Sequence, residues 1–331
     1  MTLVTPHTAI ARPVPTGVAR DDGWALYLRS SAGIEAVDPD TGATGLSIAA
    51  AALPVIALPD ALIALRAQVR GDRWWTGRAE VVAIDVANPV PRSCGAFELP
   101  APDGELGEVW CEGGVLHARW TAIAPATGIA PRMRPVEGEL RVDLARGVVE
   151  LEPGAPIAVP PTVAQAVSGL TSWSPPGLRG PWRVTAGWSA VVVTTGDAGR
   201  VATLRHWSDA GEHSAVIAEG DELRRASPLA ADARDLFVRV CDDGAPACKI
   251  RIHAVDTGAV VATLADPTPP AARLEPPMAR LDRILLATTT AGGVRSLVAI
   301  DLDTAAERWR RPIAAPAPTT RRPAGPGPHG R

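Results

Sequence analysis

Short apolar runs alternate with turn-forming residues along almost the whole chain, and five of these runs close in the same way. Ala36-Val37-Asp38, Ala83-Ile84-Asp85, Arg141-Val142-Asp143, Ala254-Val255-Asp256 and Ala299-Ile300-Asp301 each end an apolar stretch and lead into a turn. A strand-built unit recurring every ~45 to 60 residues predicts a β-propeller or a related array. In the first unit, residues 24–28 read as a strand, Ser30-Ser31-Ala32-Gly33 as a turn and residues 34–37 as a second strand. The turn Asp38-Pro39-Asp40-Thr41-Gly42 follows. Its Asp and Thr oxygens accept hydrogen bonds from nearby backbone amides, and its Gly takes the left-handed conformation that other residues resist.

The same pairing of strands appears at 61–65 with 80–85, 115–118 with 138–143, 236–240 with 250–258, and 283–287 with 296–301. The interval between Asp143 and Asp256 is about twice the repeat, and residues 190–194 with 201–207 fill it, Ser208-Asp209-Ala210-Gly211 replacing the usual turn. Segment 152–181, rich in Pro and without alternation, is a long insertion or holds a degenerate seventh unit. In each blade an inner apolar strand is expected first, then a strand ending in the Asp motif, then two outer strands. Residues 8–18 are placed to add a strand to the last blade, since an open ring leaves sheet edges exposed. The expectation is an all-β chain: a single β-propeller of six or seven four-stranded blades over 1–311, then a disordered Pro/Gly/Arg tail over 312–331.

Composition narrows the function classes. A net charge of −3 with no dense basic stripe excludes the electrostatic footprint of a nucleic-acid binder. Lys249 is the only lysine among 33 Lys and Arg, a skew from which no function follows. The most apolar stretch, 46–65, is broken by Pro54, Pro59 and Asp60, so no membrane-spanning helix is expected. The first residues lack a charged segment followed by an apolar one, which points to the cytoplasm. The cysteines point elsewhere. Cys94 with Cys111 and Cys241 with Cys248 form two local pairs, read either as disulfides of an exported protein or as four thiols.

The last repeat, Ala299-Ile300-Asp301 through Thr304 to Trp309, resembles the tryptophan-docking repeat of quinoprotein-like (PQQ-like) propellers. Ala305 stands where that repeat has Gly. The first repeat matches through Ala36, Asp38, Thr41 and Gly42 but carries Leu46 in place of Trp, and the repeat around Asp256-Thr257-Gly258 lacks the spacing and the Trp. The resemblance is to the non-enzymatic members of that group. It implies no quinone cofactor, because the adjacent paired cysteines of the dehydrogenases are missing.

Catalytic constellations are scarce. The two Asp-Thr-Gly triplets at Asp40 and Asp256 occupy equivalent turns of different blades, which separates their carboxylates instead of pairing them. Neither Cys241/Cys248/His253 nor Cys94/Cys111/His117 has the spacing of structural zinc. One loop combines the residue types that dominate interfaces: Arg73, Trp74, Trp75 and Arg78, between two strands of the second blade. Trp24, Trp110, Trp120, Trp188 and Trp207 fall in strand-like segments and are expected in the core. The functional expectation is a non-enzymatic scaffold for a protein partner in a multi-component assembly, against an enzyme or small-ligand receptor using the central channel.

Overall fold

The structure, a computed structural model, describes residues 8–20, 22, 25–67, 78–100, 104–125, 133–175, 180–184, 187–196, 199–241, 248–266 and 274–313. These residues form six antiparallel sheets, the blades of a single propeller. Blade one comprises Gly17–Ala19, Leu26–Ser30, Gly33–Val37 and Thr44–Ile48, and blade two Leu53–Ala57, Ala61–Ala67, Arg78–Asp85 and Pro91–Glu98. Blade three comprises Glu105–Glu112, Val115–Pro125, Met133–Asp143 and Val148–Leu151. In blade four, Trp182–Val184 precedes Gly187–Gly196, Gly199–Ser208 and Gly211–Glu219. Blade five is Ala226–Ala231, Asp235–Cys241, Cys248–Ala254 and Val260–Ala265; blade six is Leu274–Leu281, Ile284–Ala291, Val294–Asp301 and Glu307–Pro312. No helix among the described residues is long and apolar enough to cross a membrane.

The Asp motif ends the third strand of its blade, not the second, because each blade opens with a further strand that carries no motif. Where the motif is intact, one Asp oxygen accepts the amides two and three residues on: Asp38 from Asp40 and Thr41, Asp143 from Ala145 and Arg146, Asp301 from Asp303 and Thr304. The turn closes when the amide four residues on reaches the Asp carbonyl, as Gly42 does to Asp38 at 2.9 Å and Gly147 to Asp143 at 2.8 Å. In blade five the same bond runs from Gly258 to Ala254, at 2.7 Å. Ala254 therefore holds the turn-capping position, and Asp256 is the counterpart of Asp40, free of capping duty.

Ring closure departs from expectation. Blade six is complete without help from the N-terminus. The N-terminal segment instead pairs Ala9–Ile10 with Cys111 and Trp110 of blade three, then Arg12–Val14 with Gly17–Ala19 of blade one. It thus adds strands to the first-strand edges of two blades on either side of blade two. Side chains close the ring: Trp309 of blade six packs against Gly42 of blade one and donates its indole N–H to the Pro39 carbonyl at 2.8 Å. A Cβ at Gly42 would lie 2.6 Å from the Trp309 ring, so only Gly admits the indole. Arg308 with Asp40 and Arg311 with Glu35 add ion pairs across the same seam.

Segment 152–181 contains the short strand Ala155–Pro156, the helix Pro161–Val167 and the strand Thr171–Ser172, which pairs with Val193 and Val192 of blade four. Cys241 and Cys248 are joined by a disulfide across their hairpin. Cys94 and Cys111 are free and buried, contrary to the paired reading. They belong to different sheets, and both point into the apolar layer between blades two and three. Residues 314–331, most of the expected tail, lie outside the described residues.

Candidate interaction groove

Five apolar clusters seal five of the six seams between blades: one to two, two to three, four to five, five to six, and six to one. Between blades three and four there is no such cluster among the described residues. The cause is in the strand alternation. Along Val115–Pro125, Leu116, Ala118 and Trp120 turn toward blade two and are fully buried, whereas His117, Arg119 and Thr121 take the opposite face. The neighbouring third strand matches them in register with Arg141, Glu139 and Glu137.

These side chains form a connected polar wall. The Trp110 ring stacks on His117 at 5.0 Å between centroids, with planes 8° apart. His117 Nδ1 lies 2.9 Å from Glu139, whose carboxylate also accepts the Arg141 Nε–H at 2.8 Å. Hydrogen bonding to Arg141 first, and to His117 second, holds Glu139 down to about 2. Arg119 pairs with Glu108 at 3.2 Å.

Blade four supplies the other wall. Trp188 and Trp207 are directly opposed across adjacent strands. The Arg183 guanidinium lies over the first ring at 5.7 Å and the Arg205 guanidinium over the second at 5.9 Å. Both arginines are otherwise engaged, Arg205 with Glu212 at 3.1 Å and with the Ala166 carbonyl at 2.9 Å. Arg183 reaches across the seam to both oxygens of Glu137, at 2.8 and 3.0 Å. On the same wall, Val167 and Leu170 of the insertion meet Ala190 and Val192 around a 140 Å³ apolar socket.

The seam is open. Trp110, Trp188 and Trp207 are only half-buried. Three large apolar side chains on its walls are exposed: Ile10 at 43%, Val148 at 44% and Val216 at 56%. Register places Ile10 beside Trp110, Val148 beside Asp143 and Val216 beside Thr203. The walls therefore enclose a groove with apolar and aromatic surface from its inner to its outer end.

Blade four also borders a cleft on its other side. At the seam with blade five, Ala215 meets Gly258 where blade six brings Trp309 to Gly42. Nearby lies an open 460 Å³ cleft lined by His206, Ser208, Glu212, His213, Asp256 and Thr257. His213 Nε2 sits 2.7 Å from the Thr257 carbonyl, and His206 Nδ1 3.0 Å from Ser189 Oγ. Burial lowers the His206 pKa against an opposing pull from Asp256. The Ser–His pair has the look of a nucleophile and its base, but Ser189 is 0% exposed and beyond the reach of a substrate. Its hydroxyl orients the ring. Among the described residues, no group of three or more His, Cys, Asp or Glu is placed to hold a metal ion.

Of the loop singled out from the sequence, Arg78 is exposed at the start of Arg78–Asp85, while Arg73, Trp74 and Trp75 lie outside the described residues. Trp120 is in the core as expected and Trp24 lies outside the described residues; Trp110, Trp188 and Trp207 are groove residues instead. The signal for this was present in 115–121. From Leu116 to Thr121 its alternation of apolar and polar positions contrasts with continuous apolar runs such as 61–65 and marks a strand with one unsealed face.

No family model matches the chain, and no curated protein does. Among solved structures it is similar to the dihydro-heme d1 dehydrogenase NirN in complex with DHE, at 13% identity over 93% of this chain and 67% of that one, with a TM-score of 0.34. It is also similar to an acylaminoacyl peptidase complex, at 12% identity, 93% and 46% coverage and a TM-score of 0.34. A third is TolB from Acinetobacter baumannii, at 14% identity, 93% and 64% coverage and a TM-score of 0.32. The chain spans less than half of that peptidase.

Proposed function

We propose that this propeller is a non-enzymatic scaffold of the quinoprotein-like repeat type that holds a protein partner in the groove between blades three and four. One observation carries the reading: the only seam without an apolar seal among the described residues exposes Trp, Arg and aliphatic side chains on both walls. Partly exposed Trp and Arg at the centre of a concave surface are the residue types that dominate binding energy. The seating of Trp309 on Gly42 supports the repeat type.

The test is co-purification from native extract, followed by measurement of the mass of the complex. A stoichiometric partner is expected with the unaltered chain and with a Val294→Ser control, whose exposed apolar residue lies on blade six. Trp188→Ala and Trp207→Ala are expected to lose that partner while keeping the β-sheet circular dichroism. Retention by both variants overturns the reading.

A further inference from the structure

The charges around the groove specify its occupant further. Arg119 is matched by Glu108, Arg183 by Glu137, Arg205 by Glu212, and Arg141 by Glu139. That leaves a surplus of carboxylates on blade three. Glu112 lies on the groove face, opposite Val115, and among the described residues meets only the Thr8 hydroxyl, at 3.4 Å. Glu150 stands opposite Arg141 in register, and Glu152 shares Arg141 at a longer 3.4 Å. The acidic surplus repels phosphate backbones and favours cations.

Shape adds a second constraint. Glu112 lies on the first strand of blade three and Glu150 on the fourth, while Trp188, Trp207 and Val216 follow one another across three strands of blade four. A segment that meets them all runs across the strands and spans the width of both sheets, a reach that an extended chain covers with the fewest residues. The 140 Å³ socket is small, sized for one compact apolar side chain.

We infer that the partner element bound here is a basic, extended polypeptide segment. Its arginines or lysines face Glu112, Glu150 and Glu152, and its alternate apolar residues face Trp188, Trp207 and Val216. This rests on the scaffold reading above and names the chemistry of the partner.

The experiment is fluorescence polarisation with a short labelled peptide alternating arginine and valine, and with its counterpart carrying glutamate for arginine. The arginine peptide is expected to bind, and its affinity to fall as salt rises from about 50 to about 500 mM. Because three exposed ion pairs are lost together, the triple variant Glu112→Gln, Glu150→Gln, Glu152→Gln should weaken it about tenfold. Trp188→Ala should weaken both that variant and the parent. Equal binding of the glutamate peptide, or an unchanged triple variant, overturns the inference. If the native partner is then still lost by Trp188→Ala and Trp207→Ala, the groove stands as the scaffold's site and only the basic character falls.

Discussion

Glu139 is the residue on which the polar wall turns. With its carboxylate held at about 2, below an ordinary value of 4.5, its ion pair contributes stability at neutral pH that is kept above about 4.5 and lost as pH falls toward 2. Arg141→Ala should raise the carboxyl titration midpoint of Glu139, followed by carbon-detected NMR; an unmoved midpoint would assign the shift to His117 alone. His253 and His206 have the opposite chemistry, since burial disfavours their charged forms and lowers both pKa values. His253 is 1% exposed, bonds through Nδ1 to the Gly258 carbonyl at 3.1 Å, and among the described residues has no partner for its buried Nε2. An unfolded chain takes up these protons near pH 6.5 and the folded one only at lower pH, so stability declines as pH drops below about 6.5. His253→Leu should flatten the fall in melting temperature between about pH 6.5 and 5; a slope equal to the parent's would refute this account.

At the scale of elements, the junction of blades six and one is the best-built seam. Trp309 is 8% exposed, and its truncation to Ala should cost about 3–5 kcal/mol, read from urea unfolding. Gly42→Ala should destabilise by about 1–3 kcal/mol, because φ is +70° and the new Cβ meets the indole at 2.6 Å. A melting temperature unchanged by Gly42→Ala would mean that the docked ring does not form. The first strands of the blades were hardest to read from sequence. Gly17–Ala19 and Trp182–Val184 are three residues each, too short for alternation to register. The middle two strands are at least as long as the first in every blade, apolar on both faces where both seams are sealed, and legible for that reason.

For the whole molecule, closure by side chains instead of a shared strand has a measurable consequence. Ala9 sits opposite Cys111 on the same face of blade three, which is 2% exposed. Removing residues 1–10 should leave the six-to-one seam intact while opening Cys111 to a thiol reagent. One thiol should then react in the folded truncated protein, none in the intact one, and two after unfolding with the disulfide retained. A truncated chain that fails to fold would instead assign ring closure to the N-terminal strands.

The repeat of apolar strands and Asp turns determined the all-β propeller by itself, because period-two burial and turn chemistry act between residues close in the chain. Even the inert character of the Asp row was readable, since Asp38, Asp143 and Asp301 cap their own turns. Two matters needed the tertiary structure: that Cys94 and Cys111 point into one seam without bonding, and that Trp110, Trp188 and Trp207 border another that has no apolar seal among the described residues. Each depends on which blade lies beside which and on which strand face meets it. Those relations join residues tens to hundreds of positions apart, where local pattern carries no register.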